Sequence, residues 1–354
     1  MSNSPIRTAL CSFGMSGKVF HAPFIEVNPG FELYAVWERS SKNASKKYPH
    51  IKSFDTYEDM LADASIELVI VNTPNSTHFN YTKMALEAAK HVIVEKPFVI
   101  NSPEGKILIE LAKQKDKKVF VYHNRRWDSD FKTVKKVADE KLLGDIVEAE
   151  IHYDRFKEEL SPKVHKEIPG PGTGALYDLG SHLIDQSLQL FGWPKAVFAD
   201  IDIVRSISKV DDYFELILFY PGKRVRLKAS YVVREALPSF ILHGLKGSFI
   251  KSRADVQEND LQAEKIPETE GWGIEPEAEK GLLHTQINGQ VIRQTLPTEN
   301  GNYMQYFDEV FNAIRNNGAV PVTAEDGLKV VLIIEAAFES SRQKKLIELT
   351  QSIG

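Results

Sequence analysis

The sequence predicts an α/β protein in two parts. The first is a parallel sheet with helices on both faces, and the second is an α+β domain with an open, largely antiparallel sheet. Three observations carry this prediction. Apolar strand-like runs alternate with helix-like runs through the first third of the chain. Four strand-like runs then follow one another between Ala196 and Leu242 with no helix between them. Finally, 354 residues exceed what one hydrophobic core usually serves, so the chain divides into domains 1–124 and 125–354.

Residues 6–13 form the first buried strand, apolar except for Arg7, and Gly14, Met15, Ser16 and Gly17 break it. Residues 31–37 give the second strand and 66–71 the third, which ends in Asn72-Thr73-Pro74. Residues 40–48 are polar and helix-permissive. Residues 77–89 have helical spacing with Thr77 as a cap. Residues 91–94 form the next strand and run into Glu95-Lys96-Pro97. Residues 102–115 form a helix with Pro103 in its first turn, and residues 118–122 close the series.

In the second half, residues 131–140 read as a helix and 146–156 as a strand. A proline- and glycine-rich loop covers 157–174. The strand runs are 196–204, 213–219, 224–233 and 239–242. Residues 252–300 read as an extended polar surface segment, and 303–315 and 323–344 as closing helices.

Composition narrows the function classes. Hydrophobic residues make up 42% and charged residues 26%, ordinary for a globular protein. A net charge of −5 with no basic block argues against nucleic acid as a partner. No apolar run approaches the roughly 20 residues of a membrane helix, so no membrane partner is expected. No leader peptide is visible, and the cytoplasm is the expected location. The single cysteine, Cys11, cannot pair internally and reads as a small buried apolar side chain. No metal is expected.

In a parallel sheet of this kind, ligands sit beyond the carboxyl ends of the strands. The segments there are Phe13 to Gly17, the residues following Trp37, Asn72 to His78, Glu95 to Pro97, and Tyr122 to Trp127. The first resembles the dinucleotide fingerprint G-x-G-x-x-G, with Ser12 at the first glycine and Gly14 and Gly17 retained. A helix N-terminus after such a turn offers N–H groups and partial positive charge to a pyrophosphate. Phe13, Gly14, Met15, Ser16 and Gly17 are therefore cofactor-binding candidates, with Asn72, Thr73, Pro74, Asn75, Glu95 and Asn124 from the other strand ends. An acid about 20 residues past the last glycine holds the ribose hydroxyls of NAD, and Glu38 stands there. Arg39 and Ser40 follow at once and suit the 2′-phosphate of NADP, because a guanidinium binds phosphate bidentately. The two signals conflict, and the balance leans to NADP.

The segment Gly172 to Asp185 is the densest in chemistry. Asp178, His182 and Asp185 fall at helical spacing on one face. This is either a proton-handling site or a capped helix with a satisfied histidine, and the segment alone does not choose.

Taken in order, these motifs resemble the Gfo/Idh/MocA family of nicotinamide-dependent oxidoreductases, nearly end to end. The residues carrying the likeness are Ser12 to Gly17, Asn72 to His78, Glu95-Lys96-Pro97, and Asp178 to Asp185. Gly14 to Pro23, Tyr122 to Phe131, Tyr153 to Phe156 and Asp211 to Phe214 are similar to its scyllo-inositol dehydrogenase branch. The resemblance implies a Rossmann first domain and a preference for NADP. It makes Lys96, Asp178 and His182 catalytic, with Pro97 cis. It implies that Lys96, Asn124, Trp127, Tyr153, Arg155, Asp178 and His182 bind substrate, and that His78 lies beside the nicotinamide. Its expected substrate is a polyol or sugar, with scyllo-inositol or the corresponding inosose foremost. It also implies self-association through the C-terminal sheet, as a dimer or tetramer. The rivals are a dehydrogenase of another polyol or a dihydrodiol, and a non-catalytic cofactor-binding sugar sensor. A sensor is expected to lose the lysine or the histidine, and both are present.

Overall fold

A computed structural model describes residues 4–38 and 42–350. The chain forms two compact units, one of residues Met1–Asn124, Gln257–Trp272 and Asn302–Leu328, the other of Arg125–Val256, Gly273–Gly301 and Lys329–Gly354. The partition thus differs from a single cut after residue 124, because two later stretches belong with the first unit. The reason is aromatic packing. Phe24 stacks on Phe307 at 5.3 Å and meets Trp272 and Tyr303 edge-on or tilted, while Phe31 meets Phe311 at 6.1 Å. Arg315 also pairs with Glu67 through two 2.8 Å hydrogen bonds.

The first unit runs β1 Ile6–Leu10, α1 Ala22–Val27, β2 Phe31–Trp37, α2 Asn43–Lys47, β3 Lys52–Phe54, α3 Tyr57–Ala62, β4 Leu68–Val71, α4 His78–Glu87, β5 His91–Glu95, α5 Ser102–Gln114 and β6 Val119–Tyr122. Its six strands are all parallel, in the order β3-β2-β1-β4-β5-β6. This is the dinucleotide-binding order, with the strand order reversing between β1 and β4. The short edge strand β3, only half-buried, is not evident in the sequence. β4 is LVIV and fully buried, as a strand covered on both faces requires.

The second unit begins with α6 Ser129–Asp139, β7 Ile146–His152, α7 Val164–Glu167, α8 Ser181–Phe191 and strands β8 Ala196–Asp202, β9 Tyr213–Tyr220 and β10 Lys223–Ser230. It continues with β11 Phe240–Gly244, β12 Gly247–Lys251, β13 Gly281–Ile287, β14 Gln290–Leu296 and β15 Ile347–Glu348. These build a nine-stranded sheet, β14-β13-β12-β11-β7-β10-β9-β8-β15. All neighbours are antiparallel except β7 and β10. One face buries Leu216, Leu218, Val225, Leu227, Ala149 and Ile151 in a core shared with Leu183 and Ile184 of α8 and with residues 329–343 of the closing helix.

The segment 252–300 departs from its reading as extended surface chain. It holds the helix Gln257–Gln262 and the hairpin β13–β14. β14, QVIRQTL, is largely exposed, so burial leaves no apolar pattern in it. Its pairing comes from β13, and β13 is placed by β12. Lys251 anchors the segment, donating to Glu275 at 2.5 Å and to the Glu279 carbonyl at 2.7 Å with both charged side chains fully buried. Among the described residues no helix is long and apolar enough to cross a membrane.

Candidate active site

The carboxyl ends of β1 and β4 are tied by one side chain. Asn72 accepts from the Ser12 N–H at 3.0 Å and donates to the Ser12 carbonyl at 2.8 Å, while the Ser12 hydroxyl donates to the Asn72 carbonyl at 2.9 Å. This explains the serine in place of the first glycine, since its hydroxyl closes the clamp. Asn72 is thus spent on shaping the turn. Gly17 must be glycine, because a Cβ there would lie 2.5 Å from the Ser12 carbonyl oxygen. Gly14 meets no such obstacle, its nearest neighbour being the Ser12 hydroxyl at 4.0 Å. The space left at Gly14, ahead of a helical turn at Gly17–His21, fits a pyrophosphate approaching the backbone. Met15 is exposed beside it, and Phe13 is buried edge-on against Tyr48. The turn Gly17–His21 is π-helical, a form that recurs at functional sites.

Glu38 does not present a free carboxylate. Its two oxygens accept from the N–H groups of Asn43 at 3.0 Å and Ala44 at 3.1 Å, so it caps α2, and its side chain is buried. Arg39 and Ser40 lie outside the described residues. Thr73 and Thr77 share a 2.7 Å hydroxyl contact, and Thr77 donates to the Pro74 carbonyl, which sets the 3-10 turn Asn75–Thr77.

His78 is fully buried, and its ring nitrogens face the carbonyls of Pro97 at 2.8 Å and Thr73 at 3.0 Å. Burial lowers its pKa. His78 thus joins the Thr73 turn to the Pro97 turn. The Lys96–Pro97 bond is cis. The Lys96 N–H donates to Glu95 Oε2 at 3.2 Å. Glu95 Oε1 accepts from Ser16 Oγ and lies 2.9 Å from His21 Nε2. Burial disfavours the Glu95 charge, but the bond and charge of His21, the Ser16 hydroxyl and Lys96 outweigh it and bring the carboxyl down to about 2. Asn124 is buried at the start of the turn Asn124–Trp127.

In the second unit, Asp178 lies in another π-helical turn, Leu176–Gly180, and His182 in the first turn of α8. The sequence spacing placed both on one regular helix. The structure instead starts that helix through Gly174, at φ +97°, with Asp211 directly beneath it. The Asp211 carboxylate accepts from the Leu176 N–H at 2.8 Å and its carbonyl accepts from the Ala175 N–H at 2.7 Å. Burial pushes the Asp211 carboxyl up to about 6. A Cβ at residue 174 would lie 1.8 Å from Asp211 Oδ1. Gly174→Ala is therefore expected to destabilise by about 3 kcal/mol through overpacking and positive-φ strain. Adding Asp211→Ala should recover part of the loss. A denaturation midpoint unchanged in Gly174→Ala would contradict this.

Both oxygens of Asp178 accept from Lys166 Nζ at 2.9 Å, and His182 is buried. Asp185 is taken by Arg126, whose Nε and Nη2 reach it at 2.7 to 3.2 Å, so the third residue of the predicted face serves an ion pair. Tyr153 is ringed by guanidinium groups, those of Arg253 at 4.5 Å, Arg155 at 4.8 Å and Arg125 at 5.3 Å from its centroid. Trp127 is buried. Lys166, Arg253, Asp211 and His21 were not singled out individually by the sequence, and Ser16 was singled out for the cofactor and not for Glu95, because each acts through a contact that spacing does not reveal. Among the described residues no group of three or more His, Cys, Asp or Glu side chains is placed to hold a metal.

A Rossmann sheet and a glycine loop with room at Gly14 fit a nicotinamide-dependent dehydrogenase or reductase. The chain belongs to the Gfo/Idh/MocA oxidoreductase family. Residues 6–123 match its NAD-binding Rossmann fold and residues 134–349 its C-terminal alpha/beta domain. Among curated proteins it is 38% identical over 344 residues to the NADP-dependent scyllo-inositol 2-dehydrogenase IolW of Bacillus subtilis, covering 97% of this chain and 96% of that one. It is 26% identical to the D-glucoside 3-dehydrogenase of Escherichia coli, over 99% of both chains. Among solved structures, an oxidoreductase from Bacteroides fragilis superposes with a TM-score of 0.90 at 45% identity, over 98% of this chain and all of that one. The oxidoreductase YvaA of Bacillus subtilis gives 0.94 at 37%, over 99% of this chain and all of that one.

Proposed function

We propose that this protein transfers a hydride between NADP and a ring CH–OH of a cyclitol or sugar, with scyllo-inositol and its inosose as the leading pair. The observation that carries the reading is the near-full-length likeness to a scyllo-inositol 2-dehydrogenase together with the presence of Lys96, Asp178 and His182. When bound, the nicotinamide supplies the hydride acceptor or donor. His182 takes the proton from the substrate hydroxyl in the oxidative direction, since an imidazole titrates near neutrality. Lys96 donates to the same oxygen and offsets its developing charge. Asp178 orients the substrate, and its bond to Lys166 must open or be shared for it to do so. Asn124, Trp127, Tyr153 and Arg155 contribute to substrate binding. NADP is favoured over NAD because both carboxylate oxygens of Glu38 already accept a backbone N–H, which weighs against a ribose contact. A cytoplasmic location belongs to the same reading. The test is a panel of cyclitols and sugars with each cofactor, scored by absorbance of the reduced nicotinamide. No turnover with any polyol would reject it.

The open sheet face is the surface we propose for self-association. A row across it carries Phe198, Ile217, Ile241, Ile250 and Leu282, all partly exposed, interrupted by Arg226 and Glu150. Sedimentation is expected to show a dimer or tetramer that Ile217→Glu dissociates. A monomer in the unmodified protein would rule this face out.

A further inference from the structure

We propose that Glu95 is a positioning residue that couples the glycine loop to Lys96, with Ser16 and His21 as its anchors. The inference rests on the reading of Lys96 as the group that acts on substrate. Its basis is a network that closes over three separate parts of the first unit. Ser16 belongs to the loop after β1, His21 ends the π-helical turn that follows, and Glu95 is the last residue of β5. Ser16 Oγ and His21 Nε2 converge on one carboxylate oxygen, and the backbone N–H of Lys96 takes the other. The contacts span 79 and 74 residues, so they are tertiary and not a by-product of local turn geometry.

The anchors are themselves held. His21 is fully buried, with its ring 4.4 Å from that of Tyr122 and 6.3 Å from that of Phe307. Tyr122 lies opposite Glu95 in the β5–β6 register, and its hydroxyl donates to the Phe20 carbonyl at 2.9 Å. The turn Gly17–His21 is therefore fixed to the ends of β5 and β6 through Tyr122 as well as through Glu95. Only the Ser16 contact reaches into the loop where the backbone would meet a pyrophosphate. A shift of that loop on phosphate binding must move the Ser16 hydroxyl, and the carboxylate it holds is the one that holds the Lys96 backbone. Since Ser16 spends its hydroxyl on Glu95, its backbone N–H stays available to the phosphate after truncation to alanine.

The test separates this coupling from turnover. Lys96 is acetylated with limiting acetic anhydride and its modification is followed by peptide mass spectrometry. The rate is measured with and without saturating ADP-ribose 2′-phosphate, which fills the phosphate site but has no nicotinamide ring to shield the lysine. In the unmodified protein the fragment is expected to change the Lys96 rate by about threefold or more, a difference that one hydrogen bond suffices to carry. In Ser16→Ala the response is expected to vanish at saturating fragment. Glu95→Gln keeps the size of the side chain and is expected to lower kcat by about 10²-fold, with a smaller change in cofactor affinity, because a misplaced acting group costs that much. Should Glu95→Gln not fold, the Ser16→Ala comparison decides alone. An unchanged response in Ser16→Ala, or none in the unmodified protein, overturns the coupling. Absence of polyol turnover would overturn the proposed activity while leaving the acetylation result to stand or fall separately.

Discussion

His182→Ala is expected to lower kcat by about 10³-fold while leaving cofactor affinity within a few-fold, because removing a general base costs about 10² to 10⁴ and the nicotinamide site lies on other residues. Lys96→Ala is expected to fall by a similar factor. The two variants should differ in their pH profiles. In the oxidative direction the proposed base must be unprotonated to accept the proton, so activity should fall toward acid pH in the unmodified enzyme. That acid limb should flatten in His182→Ala and persist in Lys96→Ala. If the two groups work as a unit, the double variant should be hardly slower than either single one. Near-normal turnover of His182→Ala would remove it from the proton-transfer role, and Asp178 would be the next residue to test.

Much of the fold was legible because its strands are simple. β1, β2, β4, β5 and β6 are short and apolar, and the parallel sheet buries both faces of its central members, so their sequences read without any knowledge of partners. The chain was less legible where an element depends on something distant. β12 lies directly after the turn at Gly244, and its GSFIK sequence buries only Phe249 and Lys251. A buried lysine looks polar until Glu275, 24 residues away, is seen to meet it. The helices of the first unit after residue 257 belong where Phe24 and Phe31 put them, and no period in the sequence carries that information.

The site divides along the same line. Gly17 could be found because a Cβ there would meet the Ser12 carbonyl, whereas Gly14 was found by its place in the fingerprint and Lys96-Pro97 by the family likeness. Glu38, His78 and Asp185 stood at the right spacing, but spacing does not say where a side chain turns. Each one is taken by a nearby group: α2 N–H groups for Glu38, two carbonyls for His78, and Arg126 for Asp185. His21 and Ser16 belonged to segments used for the family likeness, yet nothing in those segments points to Glu95. A buried polar network is a contact property, and its members become visible only together.

Glu38 gives the sharpest test of cofactor choice, because its two possible roles predict different patterns. As the cap of α2, it accepts one N–H with each oxygen, and Glu38→Gln removes one of the two acceptors, which costs about 1 kcal/mol. Glu38→Gln should therefore loosen NAD and NADP by nearly the same small factor and lower thermal stability slightly. As a ribose acceptor, it would weaken NAD while relieving repulsion against a 2′-phosphate. Arg39→Ala separates the cofactors in the other direction. Bidentate charge-assisted bonds to phosphate are worth about 1.5 to 3 kcal/mol, so NADP should bind about 10- to 100-fold more weakly and NAD should hardly change. The NADP loss should shrink in high salt, since salt screens charge attraction. Binding titrations of both cofactors against both variants decide the matter. A Glu38→Gln protein that loses NAD alone would return Glu38 to the ribose and favour NAD, and an Arg39→Ala protein that keeps its NADP affinity would remove Arg39 from the 2′-phosphate.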